Sequence, residues 1–138
     1  PTLIICLFLA HFVANASELP IVVLICSYNN EQWVSKNLDS VISQKYHNYK
    51  VLYIDDCSSD ATAKRVASYI DTHNLHDTIT LIRNETRYRK MKNIYNGVHA
   101  CNDQVIIVQL DGDDWFMCDT LFAHINHLYQ AKDVWLPY

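Results

Sequence analysis

Glycine and proline are scarce in this chain, which has two glycines and three prolines among 138 residues. This scarcity excludes collagen-like and low-complexity sequences, and the 50% hydrophobic content is typical of a globular fold. The chain also has no excess of positive charge: its formal net charge is −4. We therefore expect no nucleic-acid partner. The length favours a single domain.

The five cysteines include no CxxC pair, which argues against a structural zinc site or a thioredoxin-like site. They are Cys6, Cys26, Cys57, Cys101 and Cys118. The last four lie near the ends of predicted elements, and we interpret them as small buried thiols. Oxidation to disulfides is the alternative if the protein is exported.

A long hydrophobic run is missing too. Leu3–Ala10 is apolar, but a membrane-spanning helix takes about 20 such residues. The small-x-small triplet at residues 14–16 makes this segment typical of a secretory signal peptide. We predict a leader over residues 1–16 and one domain over residues 17–138. A buried amino-terminal strand or helix, or a leader kept as a membrane anchor, is the alternative.

After residue 17 the sequence alternates strand and helix patterns. Four apolar runs rich in β-branched residues are typical of parallel strands buried on both faces, and they cover 21–26, 51–54, 79–82 and 105–110. Helical spacing predicts helices over about 31–44, 60–73, 90–101 and 119–130, with a fifth strand beginning at 134–136. In the last helix Leu121, Ile125, Leu128 and Tyr129 are predicted to face inward. This order predicts a Rossmann-like α/β fold, a doubly wound and mostly parallel sheet between helical layers.

Polar residues follow three of the predicted strands. They are Ser27-Tyr28-Asn29 with Glu31, then Asp55-Asp56, then Asp111-Gly112-Asp113-Asp114. Ligands of doubly wound sheets bind beyond the carboxyl ends of the strands, so we expect these residues in one crevice. Two carboxylates about 4 Å apart repel by about 4 kcal/mol at an effective dielectric of 20, which favours a hard cation, Mg²⁺ or Mn²⁺, between them. Solvated loop acids and helix caps are the alternative, and Asp60 is expected to be a cap.

Gly112 is expected to let the backbone turn sharply and to let a ligand approach. Two histidine pairs with a spacing of three, His73/His76 and His124/His127, are interpreted as solvated side chains because no third ligand accompanies them. Trp115 and Phe116 follow the acids. They are expected either to stack on a sugar ring or to pack in the core.

In this order and spacing, the polar strand ends resemble the family 2 glycosyltransferases of GT-A fold over residues 21–116. The matching pieces are Ser27-Tyr28-Asn29, the stretch Asp55-Asp56-x-Ser58-x-Asp60-x-Thr62, and Leu110-Asp111-Gly112-Asp113-Asp114. The resemblance implies transfer of a sugar, with inversion, from a nucleotide-diphosphate donor to an acceptor hydroxyl. It also implies a UDP-sugar as the donor and Mn²⁺ or Mg²⁺ as the cofactor.

The resemblance also implies a role for each matching position. Ser27, Tyr28 and Asn29 would line the nucleotide pocket, Glu31 would lie near the nucleotide, and Asp56, with Asp55 beside it, would accept a hydrogen bond from the base. Asp111 and Asp113 would form the DXD pair across Gly112, with Asp113 on the metal, Asp111 on ribose or metal-bound water, and Asp114 as a third acid. Lys90 or Lys92 would reach the diphosphate, a solvated helix start being the alternative.

Two positions depart from the family pattern. Cys57 stands where the family usually has glycine, and Tyr95 where it usually has asparagine. The general base and the acceptor motif of the family lie further along than Tyr138, so the chain resembles the donor-binding part of a longer protein. A non-catalytic nucleotide- or carbohydrate-binding fragment remains an alternative, as does a Mg²⁺-dependent phosphoryl-transfer or receiver-like domain.

The acceptor, whether glycan, protein or lipid, stays open. The leader indicates a secretory route or membrane association, whereas nucleotide sugars are made in the cytoplasm. Both locations are therefore kept as alternatives.

Overall fold

The computed structural model describes residues 18–131. The predicted leader, Cys6 and the predicted fifth strand lie outside the described residues. Four strands and four helices alternate: β1 Ile21–Ser27, α1 Val34–Ile42, β2 Tyr49–Asp55, α2 Thr62–His73, β3 Ile79–Arg83, α3 Lys90–His99, β4 Ile106–Asp111 and α4 Leu121–Ala131. This order confirms the α/β prediction, although α1 begins three residues later than expected.

The strands form one parallel sheet in the order β3-β2-β1-β4. The chain moves from β1 to β2 to β3 in one direction, and β4 then lies on the other side of β1. The strand order therefore reverses between β1 and β4, which is where doubly wound sheets bind ligands. The register pairs Ser27 with Asp55 and Cys26 with Asp111, so the carboxyl ends of three strands are level.

Helices cover both faces of the sheet. Val23 and Ile25 belong to the main hydrophobic core with residues of α1, α2 and α4. Leu24 points to the opposite face, because side chains alternate along a strand. There it meets α3, where a Cβ on Gly97 would lie 2.5 Å from Leu24 Cδ1. The small residue lets α3 approach β1 closely.

The inward face of α4 differs from the sequence prediction. Phe122 and Asn126 are its buried residues, and Leu121 and Ile125 pack only partly against the core. Asn126 Oδ1 accepts hydrogen bonds from the Leu19 amide at 2.9 Å and from the Tyr46 hydroxyl at 3.2 Å. Leu128 and Tyr129, which were also predicted to face inward, are half-buried.

The four cysteines of the described residues are free thiols. Cys26 and Cys101 are half-buried, whereas Cys57 and Cys118 are exposed, so the buried-thiol interpretation is wrong for the latter two. Among residues 18–131, no helix has the length and apolar character needed to cross a membrane.

Candidate functional site

The loops after β1 and β2 are joined by hydrogen bonds between residues about 30 positions apart. The Asn29 amide donates to Ser58 Oγ at 2.9 Å, and Asn29 Oδ1 accepts from the Ser59 amide at 2.9 Å. The Asn30 amide donates to Thr62 Oγ1 at 2.8 Å. Asn29 has a φ of 55°, which asparagine tolerates better than most residues. The two strand ends therefore form one joined wall.

Two acids of this wall satisfy the start of α2. Glu31 Oε2 accepts from the Ala61 amide at 2.8 Å, and Asp60 Oδ1 accepts from the Thr62 amide at 2.9 Å. The first amides of a helix have no partner within it, so carboxylates stabilise them and the positive end of the helix dipole. Asp60 therefore stabilises the first amide of α2, although the N-cap residue itself is Ala61, which has no side-chain cap hydrogen bond. The Glu31 carboxylate lies at the start of α2. The predicted contact between Glu31 and the nucleotide stays a prediction.

Asp55 ends β2 and Asp56 follows it, and both are buried, at 2% and 4% exposure. Asp55 Oδ2 accepts from the Ser58 amide at 3.3 Å, inside the turn that follows β2. Asp56 instead reaches across to the segment after β3. Its Oδ1 accepts from the Tyr88 amide at 2.8 Å and its Oδ2 from the Arg89 amide at 2.7 Å.

The Asp56 carboxylate thus holds residues 84–89 beside the strand ends, and the Asn84 side chain adds a third hydrogen bond at 2.8 Å. Burial acts to raise the pKa of Asp56, but hydrogen bonds from Asn93, Tyr88, Asn84 and Arg89 outweigh it and lower the pKa. The carboxylate is therefore ionised at neutral pH, and both of its oxygens act as hydrogen-bond acceptors.

Segment 84–89 and the strand ends enclose an open cavity of about 230 Å³. The residues lining it are Cys26, Ser27, Tyr28, Asp56, Arg87, Arg89, Lys90 and Asn93. The Arg87 guanidinium carbon lies 3.7 Å from the centroid of the Tyr28 ring. Three cations and one aromatic face therefore border one space, a combination suited to an anion that carries a flat ring.

Beside this cavity, at the end of β4, the DXD carboxylates come together. One oxygen each of Asp111, Asp113 and Asp114 lies within 4.8 Å of the others, the only such group of potential metal ligands among residues 18–131. Hard oxygen donors of this kind suit Mg²⁺ or Mn²⁺. Asp113 and Asp114 are exposed, while Asp111 is half-buried. We call these three residues the carboxylate triad.

Lys90, at the start of α3, contacts the triad directly. Its Nζ lies 2.5 Å from Asp111 Oδ2, and this hydrogen bond is the first cause of the raised pKa of Lys90. Lys92 instead lies over the Tyr88 ring, 4.0 Å from its centroid. The structure therefore brings Lys90 to the acids, and the predicted diphosphate contact of Lys92 stays untested.

Gly112 is needed for space rather than for a special backbone angle. Its φ is not positive, so the expected sharp turn is not the reason for glycine. A Cβ there would lie 2.4 Å from Ser27 Oγ and 2.7 Å from Asn30 Nδ2. The Gly112 amide also donates to the Cys26 carbonyl at 3.0 Å. The triad loop therefore lies directly on the end of β1.

The sequence analysis missed the polar face of α1 that holds this loop. Asn37 Nδ2 donates to the carbonyls of Asp111 at 2.9 Å and Asp114 at 2.7 Å. Ser40 Oγ accepts from the Phe116 amide at 3.1 Å, and Gln44 Nε2 donates to the Cys118 carbonyl at 2.6 Å. Asn37 and Ser40 stand at i and i+3 on one face of α1, and Gln44 follows just after the helix ends at Ile42.

The remaining candidates lie apart from the cavity. Trp115 stacks on Trp33 with ring centroids 5.9 Å apart and has Lys36 Nζ 3.2 Å from its centroid, so it packs against protein groups. Phe116 packs edge-on against Phe122 in the core. The four histidines of the two pairs are exposed, in agreement with their interpretation as solvated side chains.

The two departures from the family pattern occupy different surroundings. Cys57 has a φ of 62°, a left-handed conformation in which glycine is the less strained residue. Its exposed thiol lies 3.5 Å from the Glu85 carbonyl, beside segment 84–89. Tyr95 projects from α3 with 61% exposure and stacks on His99.

Comparison with known proteins gives consistent matches. The family model described as glycosyl transferase family 2 matches residues 22–137. EpsE of Bacillus subtilis (strain 168), whose name describes it as a glycosyltransferase, is 32% identical over 93 residues, covering 67% of this chain and 32% of EpsE. The UDP-Glc:alpha-D-GlcNAc-diphosphoundecaprenol beta-1,3-glucosyltransferase WfgD of Escherichia coli is 35% identical over 105 residues, covering 75% of this chain and 39% of WfgD.

Among solved structures, the mannosyltransferase PcManGT from Pyrobaculum calidifontis, in complex with GDP-Man and Mn²⁺, superposes with a TM-score of 0.72. It is 24% identical, and the match covers 82% of this chain and 33% of PcManGT. At this identity the likeness shows the fold alone. The chain spans about a third of the length of the curated relatives it matches.

Proposed function

Because this chain belongs to glycosyl transferase family 2 and has the fold of the GT-A glycosyltransferases, we propose that it binds the donor in an inverting sugar transfer. The donor is a nucleoside-diphosphate sugar with uracil as its base, bound together with Mn²⁺ or Mg²⁺. One observation carries this proposal: the carboxylate triad lies beside a cavity bordered by three cations, at the reversal of the strand order.

The cavity would hold the nucleotide. Tyr28 offers its ring to a base, and Ser27 and Asn29 shape the same strand end. Asp56 would accept the imide N–H of uracil in exchange for one of the hydrogen bonds that its carboxylate now accepts from Asn93, Tyr88, Asn84 and Arg89. The uracil assignment also draws support from WfgD, whose name specifies UDP-Glc. PcManGT binds GDP-Man in a similar fold, so the base must be tested directly.

The triad would hold the metal, and its donor set fits a divalent ion because three carboxylate oxygens converge within 4.8 Å. A bound ion of this kind supplies Lewis-acid neutralisation of the departing diphosphate. We assign Asp113 and Asp114 to the metal because they are exposed, and Asp111 to metal or ribose because Lys90 already contacts one of its oxygens.

In the proposed transfer, the acceptor oxygen bonds to the anomeric carbon as the bond from that carbon to the diphosphate oxygen breaks. The acceptor proton passes to a general base, and the electron pair leaves with the nucleoside diphosphate. Arg87, Arg89 and Lys90 would orient and neutralise the diphosphate. We assign the general base to no residue within 18–131.

The test is ligand-dependent thermal unfolding with Mn²⁺ and each of UDP, GDP, CDP and ADP. At a concentration of 100 Kd, UDP with Mn²⁺ should stabilise the fold by about 2.7 kcal/mol, which for a chain of this size is a rise of about 10 °C. UDP with EDTA should give a much smaller rise. A larger response to GDP would overturn the uracil assignment.

Two matched variants complete this test. Asp113→Asn should abolish the Mn²⁺-dependent part of the stabilisation, whereas Asp103→Asn, at an exposed position after α3, should not. Failure of every nucleoside diphosphate with either metal would refute the proposal. Nucleotide binding without hydrolysis of UDP-sugars would indicate a binding fragment.

A further inference from the structure

Asp113 and Asp114 of the triad are exposed and Asp111 is half-buried, and one buried side chain holds the loop that carries all three. Asn37, on α1, has 0% exposure. Its single amide nitrogen donates both of its hydrogens, one to the Asp111 carbonyl at 2.9 Å and one to the Asp114 carbonyl at 2.7 Å. These two carbonyls are the first and last of the triad loop.

The two bonds fix the direction in which the loop faces. Carbonyls that point inward to Asn37 leave the side chains of the same turn to project outward, and the Asp114 amide closes the turn on the Asp111 carbonyl at 3.1 Å. Two unit charges about 4 Å apart repel by about 1 kcal/mol even in water, so three clustered carboxylates tend to separate. An anchor on both ends of the turn opposes that separation.

We propose that Asn37 is a positioning residue that sets the geometry of the carboxylate triad for a divalent cation. It contacts the backbone of the ligand-bearing loop and not the ion, as residues that orient metal ligands commonly do. The inference rests on the proposed function, because it presumes that the triad binds a metal.

The choice of asparagine follows from the surroundings. Two carbonyls of one turn accept from two N–H hydrogens here, and a primary amide offers both from one atom. Serine offers a single donor and aspartate offers none at neutral pH. Leucine matches asparagine in size and removes both donors, which leaves the two carbonyls of the loop without these partners.

Gln44, just beyond the end of α1, supplies a matched control. Its amide donates to the Cys118 carbonyl at 2.6 Å and accepts from the Phe122 amide at 3.3 Å, so it anchors the same connection beyond the triad. Gln44→Met and Asn37→Leu each remove a buried amide and its hydrogen bonds. Both variants should therefore lower the melting temperature, and only Asn37→Leu should alter the triad.

The experiment measures Mn²⁺ binding to the full chain by electron paramagnetic resonance, with and without UDP, and folding by circular dichroism. Asn37→Leu should weaken Mn²⁺ binding about tenfold or more, within the range for residues that orient metal ligands. Gln44→Met should stay within about twofold of the unsubstituted chain. Hydrogen exchange at the amides of residues 112–114 should accelerate in Asn37→Leu alone.

The outcomes separate the two claims. A folded Asn37→Leu chain that binds Mn²⁺ as tightly as the unsubstituted chain overturns the positioning role and leaves the proposed function intact. An equal loss in Gln44→Met reduces Asn37 to a general stabilising residue and overturns the inference as well. A folded, unsubstituted chain that binds no Mn²⁺ refutes the proposed metal site, and the positioning role falls with it. If Asn37→Leu does not fold, Asn37→Ser, which keeps one donor, should fold and give an intermediate affinity.

Discussion

At the scale of single residues, the Asp111 carboxylate has two competing partners, the Lys90 ammonium group and the proposed divalent ion. Lys90 Nζ contacts Asp111 Oδ2 at 2.5 Å, and the same carboxylate belongs to the triad proposed to bind a divalent ion. Lys90 also lines the cavity proposed for the diphosphate. The lysine therefore opposes binding of the metal alone and favours binding of the metal with nucleotide.

Lys90→Met is accordingly expected to shift two affinities in opposite directions. A lysine and a doubly charged ion about 5 Å apart repel by about 1.7 kcal/mol in water, so removal of the lysine should tighten Mn²⁺ binding in the absence of nucleotide by about fifteenfold. The affinity for UDP in saturating Mn²⁺ should fall by a similar factor. Isothermal titration calorimetry measures both.

Lys92→Met is the control for this pair of measurements. Lys92 stands two positions along α3 and lies over the Tyr88 ring, so neither affinity should change appreciably. Shifts of the same sign for both ligands in Lys90→Met would contradict the role of Lys90. An effect confined to Lys92→Met would favour that residue at the diphosphate.

Sequence reasoning located the acids of the site but not all of their partners. Carboxylates at the ends of apolar runs are visible in the sequence, because strand and loop differ sharply in composition. The choice between Lys90 and Lys92 depends on helix rotation, since positions two apart on a helix point about 200° from each other. That rotation is set where α3 begins, at Arg89 with a φ of 67°, which no sequence pattern predicts.

At the scale of elements, the segment after β3 is held across the crevice by the second strand end. Asp56 accepts the amides of Tyr88 and Arg89 and the side-chain amide of Asn84. Its lowered pKa means that these bonds stabilise the folded state fully above the unfolded pKa of about 4. The contribution is lost as the pH falls through the lower folded pKa.

Asp56→Asn should therefore release segment 84–89 without unfolding the sheet. Replacing an ionised acceptor weakens two backbone hydrogen bonds and should cost about 2 kcal/mol. Hydrogen exchange at pH 7 should accelerate at the Tyr88 and Arg89 amides. In urea titrations between pH 5 and pH 3, the variant should lose less stability than the unsubstituted chain.

Asp60→Asn provides the comparison for this measurement, because Asp60 also has a lowered pKa but accepts the amides of Glu31 and Thr62. Faster exchange should then appear at the start of α2 and not at residues 88–89. Unchanged protection of Tyr88 and Arg89 in Asp56→Asn would show that another contact holds the segment.

The order of the elements was predictable because strands and helices differ in hydrophobic period. Which face of α1 and of α4 is buried was not predictable in the same way. Asn126 on α4 and Asn37 on α1 are both buried polar residues at the centre of an inward face. A pattern based on hydrophobicity assigns such residues to solvent, since it cannot register the distant carbonyls and amides that satisfy them. The face of α1 that the sequence did not predict is the one that donates hydrogen bonds to the triad loop.

At the scale of the whole molecule, the protein is negatively charged overall but concentrates positive charge in one segment. The chain has a formal net charge of −4, yet Arg83, Arg87, Arg89, Lys90 and Lys92 make up five of its eleven Lys and Arg residues within ten positions. Three of these five line the cavity. A cleft lined by one sign of charge sets the local potential, even where the total charge has the other sign.

Raised ionic strength should consequently weaken UDP binding, despite the like sign of the protein and its ligand. The Debye length falls from about 10 Å at 0.1 M salt to about 3 Å at 1 M, which screens the cavity cations from an approaching diphosphate. We expect about a tenfold loss of affinity for UDP in saturating Mn²⁺ over this range, measured by calorimetry. Arg87→Gln should flatten this dependence, whereas Lys64→Gln, at an exposed position on α2, should not. Binding that strengthens with salt would mean that the net charge, and not the cavity, governs the approach of the nucleotide.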